Sequence, residues 1–272
     1  MKAWLFCPGH DANKLEKALH TQADVVVIDW EDAVDSSKKR EARNTTADVL
    51  TQTRTSQRVL VRVNAVGSSS TTAELELLAD LPIDGIMVPK CDDATRLEAF
   101  DRLGLPLVPL IENAHGLERV QDIVSSIYNV ERIAFGSLDF FADIGVWWDG
   151  DNPLLSYART RISIASRAAG LAAPIDGIYP LLEDLDGLTS DSQKAMRLGF
   201  AGKLVVHPRQ VDPVRTAFSP NRAEIERARS MLQANERMQR QGVAVHVFDG
   251  ELVDAPVLRL ARRIVEAEGE GE

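Results

Sequence analysis

Short apolar runs alternate with stretches of helical spacing along most of the chain. Eight runs stand out: AWLFCP at 3–8, DVVVIDWE at 24–31, RVLVRVN at 58–64, GIMVPK at 85–90, PLVPLIE at 106–112, RIAFGSLD at 132–139, PIDGIYP at 174–180 and GKLVVHP at 202–208. Parallel strands buried on both faces read as continuous runs of this kind, because neither face meets water. Between the runs, NKLEKALHTQA has helical spacing, and SYARTRISIASRAAG closes on a glycine suited to a helix stop. Eight strand–helix units by residue 208 predict an α/β fold, a closed (β/α)8 TIM barrel. A doubly wound open sheet is the runner-up. It asks for a glycine-rich first turn, and the first turn here is PGHDAN.

The pattern changes after residue 208. NRAEIERARSMLQANERMQRQG at 221–242 predicts one long helix, and VAVHVFDGELVD at 243–254 a hairpin turning at Asp249-Gly250. APVLRLARRIVEAEGEGE predicts a last helix. The domains expected are therefore a catalytic barrel at 1–220 and a C-terminal helical and hairpin lid extension at 221–272.

Composition narrows the partners. The net charge of −10 argues against general nucleic-acid binding. No apolar stretch approaches the roughly 18 residues of a membrane span, so no membrane association is expected. The N-terminal apolar run meets Pro8-Gly9 too soon for a signal peptide, and the chain is expected to be cytoplasmic. Cys7 and Cys91 both lie in or beside apolar runs and read as buried thiols rather than a bridge.

Barrel enzymes work at the C-terminal ends of their strands. The polar residues there are Asp29, Glu31 and Asp32, then Arg62 and Asn64, Lys90, Glu112, Asp139 and His207. Period-two alternation puts Val59, Val61 and Val63 on one face and Leu60, Arg62 and Asn64 on the other. An arginine inside such a strand is costly unless paired, and Glu31 is one partner. Glu112 and Asp139 end consecutive runs. Two acids held close repel, and one takes up a proton unless a cation sits between them. An oxygen-only ligand set favours Mg²⁺. Such an ion would polarise a carbonyl and stabilise an enolate, with Arg62 offering a fork to a substrate carboxylate. Each residue also has a plainer reading. Glu112, Asp139 or Asp143 caps a helix or turn, Lys90 is surface, His207 is structural, and Asp29–Asp32 shapes a loop. The residues alone point to a Mg²⁺-dependent barrel enzyme acting on a small oxyacid.

The blocks KAWLFCPG, VVVIDWEDAVDSSKKREAR, VRVNAVG, GIMVPK, PLIENAHGL, FGSLDFFADIG, PIDGIYP, GFAGKLVVHPRQVDPV and FDGELVDAPVLRLARRI follow one another in order. Together they resemble the citrate lyase beta-subunit-like branch of the HpcH/HpaI aldolase family of CoA-ester lyases, over nearly the whole chain. The resemblance implies a Mg²⁺-dependent carbon–carbon lyase that cleaves a malyl-, citramalyl- or citryl-CoA-like 3-hydroxyacyl-CoA into an acyl-CoA and a 2-oxo acid. It implies Glu112 and Asp139 as metal ligands and Arg62 as catalytic and substrate-binding. It also places main-chain contacts to the acid around Gly136 and Asp139, and gives Asp254 as a catalytic acid on the lid. In such lyases that acid reaches a neighbouring subunit, so a homo-oligomer, a trimer or a multiple of one, is expected. Its plainer reading is a helix cap. The alternatives are a metal-dependent aldolase on free 2-oxo-4-hydroxy acids, a related acyl-CoA thioesterase, and a non-catalytic barrel that binds a 2-oxo acid. Three departures put the substrate in doubt. Lys2-Ala3 replaces Arg-Ser, Leu138 stands where the family has glutamate, and Asn113 where it has threonine.

Overall fold

The apolar runs pair as parallel strands that close on themselves. In the computed structural model the strands are β1 Ala3–Pro8, β2 Val25–Asp29, β3 Arg58–Arg62, β4 Gly85–Val88, β5 Leu107–Ile111, β6 Ala134–Phe135, β7 Ile175–Asp176 and β8 Gly202–Val205. Each pairs with the next, and β1 also pairs with β8, which completes an eight-stranded barrel. The structure describes residues 1–240, 242, 243 and 245–269. The chain divides into two compact units, Met1–Phe218 and the segment from Ser219 onward.

Side-chain alternation builds two cores from one set of strands. Trp4, Val25, Val27, Leu60, Met87, Val108, Leu110, Ala134, Ile175 and Leu204 fill the barrel interior. Val59, Val61 and Val63 face the other way, into the larger core between strands and helices. Leu60 therefore points inward, and so does Arg62 two residues on. Cys7 and Cys91 are free and buried.

Two strands are much shorter than their apolar runs suggest. β6 and β7 hold two residues each. Asp139 is accordingly not at a strand end. The chain leaves β6 at Gly136 and enters a helix, Ser137–Ile144, with Asp139 in its first turn. A carboxylate is favoured there by the helix dipole.

Short strands make few ladder bonds, and a buried charge cluster reinforces this side of the barrel. Asp176 of β7 and Lys203 of β8 are register partners and form an ion pair. Arg159, from the helix Pro153–Ala168, meets Asp176 through Nε at 2.9 Å and Nη2 at 2.7 Å. Asp191, from the helix Leu185–Arg197, accepts from Arg159 at 2.8 Å and lies 2.7 Å from Lys203 Nζ. All four are buried, and two positive charges balance two negative ones. The pairing makes burial tolerable, and it pins two outer helices to the sheet.

In the second unit the helix Arg222–Arg240 packs on the helix Ala255–Gly269 through Ala228, Met231, Leu258 and Ala261. An antiparallel hairpin joins them, β9 His246–Phe248 and β10 Glu251–Val253. Its turn is Asp249-Gly250, with φ of 47° and 81°. Positive φ at both positions suits a two-residue hairpin turn.

Removing one member of the buried cluster strands the others. Asp176→Ala is expected to cost about 3–5 kcal/mol of unfolding free energy, read by urea denaturation of the full chain. The exposed Arg222–Glu226 pair is the control, and breaking it should cost about 0.5 kcal/mol or less. Equal losses from the two would show that the buried cluster is not what pins the helices.

Candidate active site

The register of β2 against β3 sets Asp29 beside Arg62. Both point into the mouth of the barrel, and they form a bidentate pair. Arg62 Nε donates to Asp29 Oδ1 at 2.8 Å, and Nη2 to Oδ2 at 2.6 Å. Asp29 also accepts from the backbone N–H groups of Glu31 and Ala33, which fixes the loop after β2. The Arg62 guanidinium stacks over the Phe6 ring at 4.8 Å. Burial opposes charge on both partners, and the paired bonds outweigh it. Asp29 is held below the ordinary carboxylate range and Arg62 above its ordinary value. The main partner of Arg62 is thus Asp29 rather than Glu31. Two of its three guanidinium nitrogens, Nε and Nη2, are engaged by Asp29.

Glu31 is buried beside this pair. Arg62 Nη1 lies 3.3 Å from its Oε2, and Lys90 Nζ lies 2.8 Å from its Oε1. Asp32 is half exposed, 3.7 Å from Lys90 Nζ. Lys39 donates to the main-chain oxygens of Trp30 and Glu31, holding the acidic loop from beneath. Lys90 is therefore part of the site and not merely surface. Its φ is 51°, a left-handed conformation rare for a residue with a side chain. That conformation aims its N–H at Glu112 Oε1, at 2.6 Å.

Glu112 follows β5 and is 3% exposed. Its Oε2 is buried and finds no hydrogen-bond partner among the described residues. Burial raises its pKa to about 8, helped by the charges of Glu31 and Asp139 and opposed by the Lys90 N–H. Asp139 is also raised, by partial burial and then by Asp32. Gly136 lies between them. A Cβ at Gly136 would sit 2.7 Å from Glu112 Oε2, so only glycine leaves this carboxylate its place. The Gly136 N–H is taken by the Ile111 carbonyl, and what Gly136 supplies is room. Arg62, Glu112, Gly136, Asp139 and Phe6 line one pocket of about 50 Å³, floored by Leu204. Leu138 lines this pocket and also a wide apolar groove of about 540 Å³ with Phe141, Trp147, Trp148 and Leu181.

A family model described as HpcH/HpaI aldolase/citrate lyase matches residues 2–208, most of the chain and the whole run of barrel strands. The chain belongs to that family. Rat mitochondrial citramalyl-CoA lyase is 32% identical over 288 residues, covering 97% of this chain and 85% of its own. A (3S)-malyl-CoA thioesterase of Cereibacter sphaeroides is 32% identical, covering 92% and 88%. Among solved structures, CitE from Mycobacterium tuberculosis in complex with magnesium, acetoacetate and coenzyme A superposes with a TM-score of 0.85. It is 28% identical, with 98% of each chain covered.

Within this HpcH/HpaI barrel, the donor set suits a hard divalent cation. An unpartnered buried carboxylate oxygen shares a pocket with a second raised carboxylate, and no described His or Cys lines that pocket with them. Among the described residues no three His, Cys, Asp or Glu side chains are placed to hold an ion together.

The plainer readings divide cleanly. Asn113, not Glu112, caps the helix Ala114–Glu118, accepting from Gly116 N at 2.7 Å. Asp143 accepts from Ala114 N and is structural. His207 caps the turn after β8. Asn64 is tied to the fully buried Glu74. Asp254 belongs to the second unit, where its Oδ1 accepts from Val257 N at 3.2 Å and caps the helix Ala255–Gly269. Phe6 was not among the residues singled out from the sequence. Its position two residues after Trp4 on β1 places it on the inner face.

Glu112 generates a pH prediction for the metal-free protein. Its ordinary pKa of 4.5 is raised to about 8 in the fold, so the native state holds a proton that the unfolded chain has released. The resulting stability is complete below pH 4.5 and is lost as pH rises through about 8. Glu112→Gln should flatten this slope and stabilise the metal-free protein by about 2 kcal/mol or more above pH 8. Urea unfolding in a chelator across that range checks it. Identical slopes in the two proteins would refute it.

Proposed function

We propose that the protein is a Mg²⁺-dependent carbon–carbon lyase. Its substrate is a 3-hydroxyacyl-CoA of the malyl-, citramalyl- or citryl-CoA kind, and its products are an acyl-CoA and a 2-oxo acid. The observation that carries this reading is the buried, unpartnered Oε2 of Glu112 in one pocket with Asp139, in a barrel of this family. Glu112 and Asp139 would hold the ion. When bound, it polarises substrate oxygens and offsets the charge of an enolate.

Cleavage passes the proton of the 3-hydroxyl to water and breaks the C2–C3 bond. The hydroxyl carbon becomes the carbonyl carbon of the 2-oxo acid, and the electron pair passes to the thioester enolate. Protonation at C2 then completes the acyl-CoA. Arg62, locked by Asp29, acts as a fixed positive charge toward the oxygens. The first main-chain N–H groups of the helix Ser137–Ile144 are suited to receive the acid's carboxylate. The small pocket adjoins, through Leu138, an apolar groove large enough to take a thioester arm. This favours a CoA ester over a free aldol. We assign the C2 proton to Asp254, offered by the second unit of a neighbouring copy in a homo-oligomer, with a trimer the expected form.

A thioesterase reading is the second one, favoured by the 32% identity to (3S)-malyl-CoA thioesterase. One assay separates them: purified protein, Mg²⁺ and a panel of malyl-, citramalyl- and citryl-CoA, with products identified by mass. A lyase yields a 2-oxo acid and a shorter acyl-CoA, and a chelator abolishes turnover. Free CoA with the intact hydroxy acid indicates the thioesterase, and no turnover on any ester removes both.

Asp254→Asn tests the proton assignment without disturbing the fold, because asparagine caps a helix about as well as aspartate. Turnover should fall by about 10²–10⁴-fold with the melting temperature unchanged. Unaltered turnover would leave Asp254 as a cap alone.

A further inference from the structure

We propose that Lys90 is a positioning residue that holds Glu31 out of the metal site, so that Glu112 and Asp139 alone supply carboxylates and substrate oxygens find open positions. The inference rests on the reading of this site as metal-dependent.

Glu31 is the third acid within reach. It is 4% exposed, on the loop that leaves β2 toward the barrel mouth. Lys90 links it to Glu112: the ammonium lies 2.8 Å from Glu31 Oε1, and the N–H of the same residue donates to Glu112 Oε1 at 2.6 Å. A third carboxylate so near a divalent cation is a natural ligand for it. Mg²⁺ demands near-octahedral geometry, and every protein oxygen it accepts is one position fewer for substrate.

Two cations restrain Glu31, and they do so unequally. Arg62 has Nε and Nη2 committed to Asp29, and its Nη1 lies 3.3 Å from Glu31. Lys90 Nζ lies 2.8 Å from the other oxygen and is the closer tether. The same residue donates its N–H to Glu112 Oε1. Lys90 therefore fastens the acid to be excluded and the acid to be used. The N–H leaves Glu112 Oε2 directed toward Gly136 and Asp139. The ammonium holds Glu31 by its Oε1.

This double duty accounts for a lysine in a left-handed conformation. Glycine would adopt φ of 51° without strain and still present the N–H. It would lack the ammonium. A side-chain residue held in such a conformation needs a local reason, and two anchored contacts supply one.

The test uses Mn²⁺ as the probe, since it shares the preference for six oxygens. Water-proton relaxivity of the bound ion reports how many waters it keeps. Wild type, Lys90→Met, Lys90→Arg and the double variant Lys90→Met with Glu31→Gln are compared for Mn²⁺ affinity, relaxivity, turnover and melting temperature. In Lys90→Met, Glu31 is released onto the ion. Affinity should be equal or tighter, relaxivity should drop by the share of one water, and turnover should fall about tenfold or more. The melting temperature should stay near wild type. The double variant should regain the relaxivity and part of the turnover, and Lys90→Arg should resemble wild type. Unchanged relaxivity in Lys90→Met overturns the proposal. So does a joint loss of affinity and turnover that Glu31→Gln does not relieve, because a general structural role has that signature. If wild type turns over no acyl-CoA, the lyase reading fails, while the Mn²⁺ measurements still decide the role of Lys90.

Discussion

One oxygen of Glu112 is buried without a partner, and most of the barrel mouth can be understood from that. Such an oxygen is expensive in an apolar surround, and a carboxylate there takes up a proton unless positive charge arrives. The surrounding residues do not relieve it. Lys90 satisfies only the other oxygen, and Gly136 gives up a side chain so that this one keeps its place. A fold that maintains so costly a group, with a second raised carboxylate beside it, is built to receive a cation.

The barrel makes this arrangement rigid. Asp29 and Arg62 are cross-strand partners, so the pair is set by ladder register and does not depend on a loop. Phe6 backs the guanidinium from β1. Glu112 leaves a strand buried at every position. Asp139 comes from a helix whose first turn follows directly on β6. The weakest stretch of the wall, at β6 and β7, is where the Arg159, Asp176, Asp191 and Lys203 cluster ties helices to strands. Stability is thus concentrated behind the site rather than within it.

The fold was legible because strands covered on both faces announce themselves as unbroken apolar runs. Arg62 was legible for the opposite reason, since a charge inside such a run needs an explanation. What escaped reading depends on three-dimensional register or backbone angle. Glu31 is a reasonable partner for Arg62 by type, but pairing across β2 and β3 selects Asp29. The run ending at Asp139 looks like a strand because Ile133, Ala134 and Phe135 are buried, yet Gly136 and Ser137 already begin a helix. Lys90 after Pro89 reads as surface because its left-handed backbone leaves no mark in the sequence. Its charge matters only once Glu31 and Glu112 are seen on either side of it.

The charges of the mouth form a simple sum. Asp29 is answered by Arg62, whereas Glu31 has Lys90 at ion-pair distance and is still held above the ordinary carboxylate range by burial. Asp32 is half exposed and left to solvent. Glu112 and Asp139 remain, two negative charges without a protein counter-ion of their own, and a divalent cation matches them. The balance also explains why a basic residue at position 90 matters more than its exposure suggests. Without the ammonium, Glu31 joins the unanswered acids, and three carboxylates then compete for an ion whose geometry must leave room for substrate. Selectivity at this site is therefore a matter of which acids are withheld as much as of which are offered.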